Sequence, residues 1–175
     1  MKYTKNIYPK YKIGDYTYGS PIIIDRWGGQ LEIGKYCSIA HNVVIMLGGN
    51  HNSDWITTYP FPVLYNENKD LEHPIKEGKT KIGNDVWIGM DSFILPGVSI
   101  GDGSVIGART VVSNDVDPYS IFVGNPGRCV RKRFDEETIY KLMKIQWWNW
   151  DCEKIRNNVR LLCSKNIMGF INANL

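Results

Sequence analysis

The sequence of 175 residues predicts an all-β solenoid, wound in three-sided coils, with one extruded loop and α-helices at the C-terminal end. Three observations predict it. Large aliphatic residues recur every six positions in two blocks. The rhythm fails between the blocks, over a polar stretch. After the second block, the apolar spacing becomes that of a helix.

The second block is the longer. From Ile82 it reads IGNDVW, IGMDSF, ILPGVS, IGDGSV, IGARTV, VSNDVD. Ile82, Ile88, Ile94, Ile100, Ile106 and Val112 are spaced six apart. Four residues after each stands a small or β-branched residue: Val86, Ser92, Val98, Ser104, Thr110 and Val116. Six is neither a helix period nor plain strand alternation, but a short strand followed by a sharp bend satisfies it. The large aliphatic points inward, the small residue fills the corner, and Gly, Asn or Asp supplies the turn. Three hexads close one coil of eighteen residues, so residues 82–117 make two. Strands of stacked coils pair about 4.8 Å apart.

Residues 33–50 (IGKYCS, IAHNVV, IMLGGN) make another coil, with Ile33, Ile39 and Ile45 inward and Cys37 and Val43 in the small slot. The preceding "YKIGDYTYGSPIIIDRWGGQLE" reads as a degraded coil, as terminal repeats often are. From Ile45 to Ile82 is 37 residues, one more than a multiple of six, so the phase is lost. Residues 47–80 are rich in polar and turn residues and read as a loop leaving the coil at Gly48-Gly49. Long loops on rigid scaffolds commonly carry function.

The segment "DPYSIFVGNPGRCVRKRF" is expected to leave the solenoid. Beyond it, Asp135 is a candidate N-cap, and Ile139, Leu142, Met143 and Trp147 share one helical face. A second helix is expected from Asp151, with Ile155, Val159 and Leu162. The predicted division is a coiled domain over 1–130 and a helical extension over 131–175. The "QWWNW" cluster reads as helix packing.

A net charge of +3 is too small to indicate nucleic acid. No apolar run approaches the length of a spanning helix, and the N-terminus lacks a signal-peptide pattern. The expected location is cytoplasmic. Cys37, Cys129, Cys152 and Cys163 lack zinc-like spacing and read as free thiols.

The hexapeptides, with "GGNHNSDWITTYPF", "DVWIG" and "GNPGRCVRKRF", resemble the hexapeptide-repeat acyltransferases. Within that family they look like the xenobiotic acetyltransferase branch, which includes enzymes acetylating chloramphenicol and streptogramins. The resemblance implies a left-handed parallel β-helix, whereas the ordinary crossover rule gives the opposite hand. It implies a homotrimer with active sites between subunits, and acetyl-CoA as donor. The matching histidine, His51, is the expected general base. A hydroxyl is a poor nucleophile at neutral pH, and imidazole titrates near neutrality. Transfer is direct, without an acyl-enzyme. The developing oxyanion needs donors, and the matching backbone N–H is that of Met90.

The resemblance also implies a coenzyme A groove lined by Trp87, Gly89, Ala108, Ser113 and Asn114, with Arg128, Arg131 and Lys132 toward the phosphates. Trp87 also reads as a rim residue or a support for the base, although an aromatic on a β-solenoid face more often packs. Arg109 stands where relatives often have glycine. On the acceptor side stand Asp54, Tyr59 and Phe61. Asp54 reads as an orienting group or a turn former, and the two rings as pocket walls or loop anchors. His41 and His73 lie 10 and 22 residues from His51, which is not the zinc spacing of this fold, so no metal is expected. The expected reaction is O-acetylation of a sugar or surface-polysaccharide precursor. Alternatives are antibiotic O-acetylation, amino-sugar N-acetylation and, in another class, a non-catalytic scaffold.

Overall fold

The computed structural model describes residues 2–65, 68, 70–75 and 78–175. The chain forms two compact units, Met1–Arg131 and Lys132–Leu175.

The first unit opens with a short helix, α1 (Thr4–Ile7). Its early strands are β1 (Lys12–Ile13), β2 (Ile22–Ile24), β3 (Leu31–Ile33), β4 (Ser38–Ile39) and β5 (Val44–Met46). After the loop come β6 (Thr80–Ile82), β7 (Trp87–Ile88), β8 (Phe93–Ile94), β9 (Ser99–Ile100), β10 (Val105–Ile106) and β11 (Val111–Val112). The last are β12 (Ser120–Gly124) and β13 (Gly127–Lys132). They assemble into three sheets, ordered β1-β3-β6-β9, β13-β12-β10-β7-β4 and β11-β8-β5-β2. From β3 to β11 the chain visits the three sheets in rotation, and the paired strands run parallel.

The six-residue spacing sets the register. Ile33, Ile82 and Ile100 stand in one column, and Ile39, Ile88 and Ile106 in a second. Ile45, Ile94 and Val112 form a third. All nine are buried and form the core with the corner residues Val43, Val86, Val98 and Val116. Buried hydroxyls in the corner slots have partners: Ser92 Oγ donates to the carbonyls of Gly89 (2.8 Å) and Gly107 (2.9 Å). Cys37 fills the same kind of slot, its Sγ 3.0 Å from the Gly83 carbonyl, and burial pushes its thiol up to about 12. Stacked corners repeat a left-handed backbone at Asn42, Asp91 and Arg109. Arg109 adopts it with φ 58° and pairs with Asp91 at 3.5 Å.

The outward residues of the sheets differ. One sheet presents Lys12, Glu32, Lys81 and Ser99 in a row. The second presents Ser38, Trp87, Val105 and Ile121. The third presents only apolar side chains: Ile22, Val44, Phe93 and Val111.

Two expectations need correction. The segment after Asp117 does not leave the sheets at once. Strand β12 pairs with β10 in parallel and buries Phe122 in the core, because Ile121 and Phe122 continue the out-in alternation. Trp147 does not share the face of Ile139. Helix α3 (Glu136–Ile145) ends where Gln146 turns left-handed, and Trp147–Asn149 forms a separate 3-10 turn. The C-terminal unit also holds a helix that the spacing does not reveal, α5 (Ile167–Asn174).

Asp135 caps α3, accepting from the Thr138 N–H at 2.8 Å, with Glu136 and Glu137 in the first turn where the helix dipole favours them. Asp151 caps the next helix, α4 (Cys152–Leu162), in the same way through Lys154 N–H. Within this unit Trp148 is buried and the Trp150 ring lies 5.8 Å from Phe170. The tryptophans therefore pack, as the sequence suggests. No helix among the described residues is long and apolar enough to cross a membrane.

Candidate active site

Leu47 is the last buried hydrophobic side chain before the loop, and its N–H still donates to the Ile24 carbonyl at 2.9 Å. Gly48 and Gly49 then take φ of 142° and 101°. A Cβ on Gly49 would stand 2.5 Å from the Trp27 ring, so the departure needs glycine for both torsion and space. Asn50 pairs with Ile75 across the root of the loop, the Ile75 N–H donating to the Asn50 carbonyl at 3.0 Å. That pairing anchors the residue that follows, His51.

The His51 side chain is exposed, and its Nδ1 lies 2.6 Å from the Thr58 carbonyl oxygen. A carbonyl only accepts, so Nδ1 carries a proton, and in the neutral ring Nε2 is then the acceptor. The His73 ring meets the His51 ring edge-on, with centroids 4.7 Å apart at 83°. Trp55 lies beyond His73, at 5.8 Å. Asp54 sits in a local turn, its N–H donating to Asn52 Oδ1 at 3.1 Å. Among the described residues no hydrogen bond joins Asp54 to His51, whose Nδ1 faces the Thr58 carbonyl.

Tyr59 and Phe61 come together, their rings 4.8 Å apart, at the start of the short helix α2 (Phe61–Leu64). With Trp55 and Leu71 they line a cavity of about 250 Å³.

A second group gathers on β7 and β10. Trp87 stands in register with Val105, the Gly89 N–H donates to Ile106 O, and the Arg109 N–H donates to Met90 O, both at 2.8 Å. A Cβ on Gly89 would stand 2.6 Å from Ala108 N, so only glycine lets these turns stack. Trp87 and Met90 are both half or more exposed (57% and 50%). Among the described residues no hydrogen bond takes up the Met90 N–H. Ser113 and Asn114 are exposed just after β11, with Asn114 Nδ2 donating to Ser113 Oγ at 3.2 Å.

Arg128 and Arg131 are exposed on β13, the outer strand of its sheet, and Lys132 ends that strand. Among the described residues no hydrogen bond, ion pair or ring contact joins His51 to Met90. No group of three metal-binding side chains occurs among them either.

The family described as "Bacterial transferase hexapeptide (six repeats)" matches residues 79–114. A chloramphenicol acetyltransferase of Klebsiella aerogenes is 43% identical over 145 residues, covering 80% of this chain and 69% of that one. The chain belongs to the hexapeptide-repeat acetyltransferases. A probable macrolide acetyltransferase of Lysinibacillus sphaericus is 47% identical over 143 residues, covering 79% of each chain. These similarities put this hexapeptide-repeat acetyltransferase in the xenobiotic, chloramphenicol acetyltransferase-like branch, with acetyl-CoA as donor. A galactoside acetyltransferase solved in complex with coenzyme A superposes with a TM-score of 0.55 and 32% identity. That match covers 71% of this chain and 56% of the other, so the acetyltransferase here spans little more than half the length of that protein.

Two parts of the acetyltransferase's loop escape sequence reasoning. The Thr58 contact is made by a backbone carbonyl and leaves no mark in residue type. His73 lies 22 residues from His51, and the pairing of Asn50 with Ile75 returns the chain to the base.

Proposed function

We propose that this acetyltransferase moves the acetyl group of acetyl-CoA to a hydroxyl of a sugar or surface-polysaccharide precursor, with His51 as general base. The single observation that carries the reading is the Nδ1 contact with Thr58 O, which leaves Nε2 free to accept a proton. Acetyl-CoA supplies an activated acyl carbon as a thioester. His51 Nε2 takes the acceptor's proton as the acceptor oxygen bonds to that carbon. The Met90 N–H donates to the oxyanion that forms. As the carbon–sulfur bond breaks, the His51 imidazolium returns its proton to the leaving thiolate. The proton balance closes without an acyl-enzyme.

The donor groove follows β7 and β10, past Gly89 and Ala108, and continues by Ser113 and Asn114 toward the cations of Arg128 and Arg131. Trp87 flanks its mouth. Guanidinium groups suit phosphate oxygens. Tyr59 and Phe61 wall the acceptor side, and Asp54 shapes the turn beside it.

We further infer a left-handed parallel β-helix assembled as a homotrimer, with each site between two subunits. Two facts support assembly. Among the described residues no hydrogen bond, ion pair or ring contact joins His51 to Met90, and the outward row Ile22, Val44, Phe93 and Val111 is wholly apolar.

The acceptor has a second reading, O-acetylation of an antibiotic, favoured by relatives named for chloramphenicol and macrolides. The test is free-thiol release from acetyl-CoA with galactosides, oligosaccharides, chloramphenicol and a macrolide. Turnover with a sugar supports the first reading, and turnover confined to the antibiotics replaces it with the second. Failure to bind acetyl-CoA at millimolar concentration overturns both.

A further inference from the structure

His73 has no place in the reaction as described, yet its ring is the one that touches the base. It meets His51 edge-on at 4.7 Å and has Trp55 at 5.8 Å. Its Nδ1 is buried and, among the described residues, has no hydrogen-bond partner. An unpaired buried nitrogen opposes folding, so no hydrogen bond at that atom explains the side chain's location. What remains is what the ring touches.

His51 needs a wall. Its side chain is exposed and carries one hydrogen bond, to Thr58 O. The ring torsion of a histidine is broad, so one bond leaves the imidazole free to swing and to flip Nε2 away. A second ring packed nearly perpendicular to it at 4.7 Å removes much of that freedom. Trp55 packs near His73 in turn, its ring centroid 5.8 Å away.

We propose that His73 is a positioning residue for His51. It holds the imidazole in the orientation that keeps Nδ1 on the Thr58 carbonyl and Nε2 open to the acceptor. The inference rests on His51 as the base. It assigns the work to the flat ring of His73, not to its nitrogens.

The test uses the full chain with His73→Ala, His73→Phe and His51→Ala. Two readouts are taken: ¹⁵N NMR of the histidine rings, and initial rates with acetyl-CoA and chloramphenicol or methyl galactoside, whichever wild type turns over faster. In His73→Ala the His51 signals should average between tautomers. Its kcat should fall about tenfold or more, since small misplacements of a catalytic group can cost up to a hundredfold, while the KM for acetyl-CoA holds. His73→Phe should restore both, with melting temperature equal to or above wild type. Unchanged His51 signals in His73→Ala would overturn the proposal. So would His73→Phe as impaired as His73→Ala, because a nitrogen would then be required. If His51→Ala turns over like wild type, the base assignment falls, while the ring spectra still decide what His73 does.

Discussion

His51 Nδ1 and the Thr58 carbonyl oxygen stand 2.6 Å apart, and this contact decides which imidazole nitrogen is free. The ring should be the Nδ1–H tautomer, visible by ¹⁵N NMR of the folded protein. Thr58→Ala keeps the carbonyl and should keep the tautomer and the rate. A rate lost in Thr58→Ala with the tautomer intact would assign the threonine hydroxyl a role that this geometry does not give it.

Gly89 packs where a Cβ would stand 2.6 Å from Ala108 N, whereas a Cβ on Gly78 would meet nothing within 4 Å. Gly89→Ala must push apart the turns that present the Met90 N–H. Overpacking of this kind costs about 1–3 kcal/mol. A lowered melting temperature and a lowered kcat are expected for Gly89→Ala, and wild-type melting for Gly78→Ala. Equal melting of the two variants would show that the turns can separate freely.

The apolar row holding Phe93 and the polar row holding Lys81 should behave differently in assembly. Phe93→Glu places a charge in a face that assembly would desolvate, and should yield a monomer without activity in light-scattering chromatography. Lys81→Glu should leave both mass and activity unchanged. A trimeric, active Phe93→Glu would move the interface elsewhere.

Cys37 provides a pH-dependent signature. Its thiol ionises near 9.0 when unfolded and is held up to about 12 by burial. Between these values the unfolded chain has released a proton that the folded chain keeps. Stability from this group is therefore full below pH 9 and declines as pH rises toward 12. The slope is at most about 1.4 kcal/mol per pH unit. Cys37→Ala should flatten the alkaline part of the stability curve in urea titrations, and an unchanged slope would show that the thiol does not contribute.

How far the sequence reaches depends on what each feature is made of. Ile33, Ile82 and Ile100 repeat by residue type, so their column could be read before any strand was seen. Phe122 continues the second sheet, but Gly124 and Pro126 follow it so closely that turn chemistry masks the strand. Helix α5 is only eight residues long, and its apolar residues come in one run with the asparagines at its end, so no periodic polar face marks it. In the candidate site, His51 and the glycines before it stand out because they interrupt a regular pattern. Thr58 O and His73 do not, because one is backbone and the other is brought near by the pairing of Asn50 with Ile75.

The most direct measurement compares wild type and His51→Ala for acetyl-CoA binding and for acetyl transfer to the best acceptor. Loss of a general base costs about 10²–10⁴ in rate. The expected result is turnover reduced by that factor with acetyl-CoA affinity unchanged. Turnover near that of wild type in His51→Ala would contradict the account.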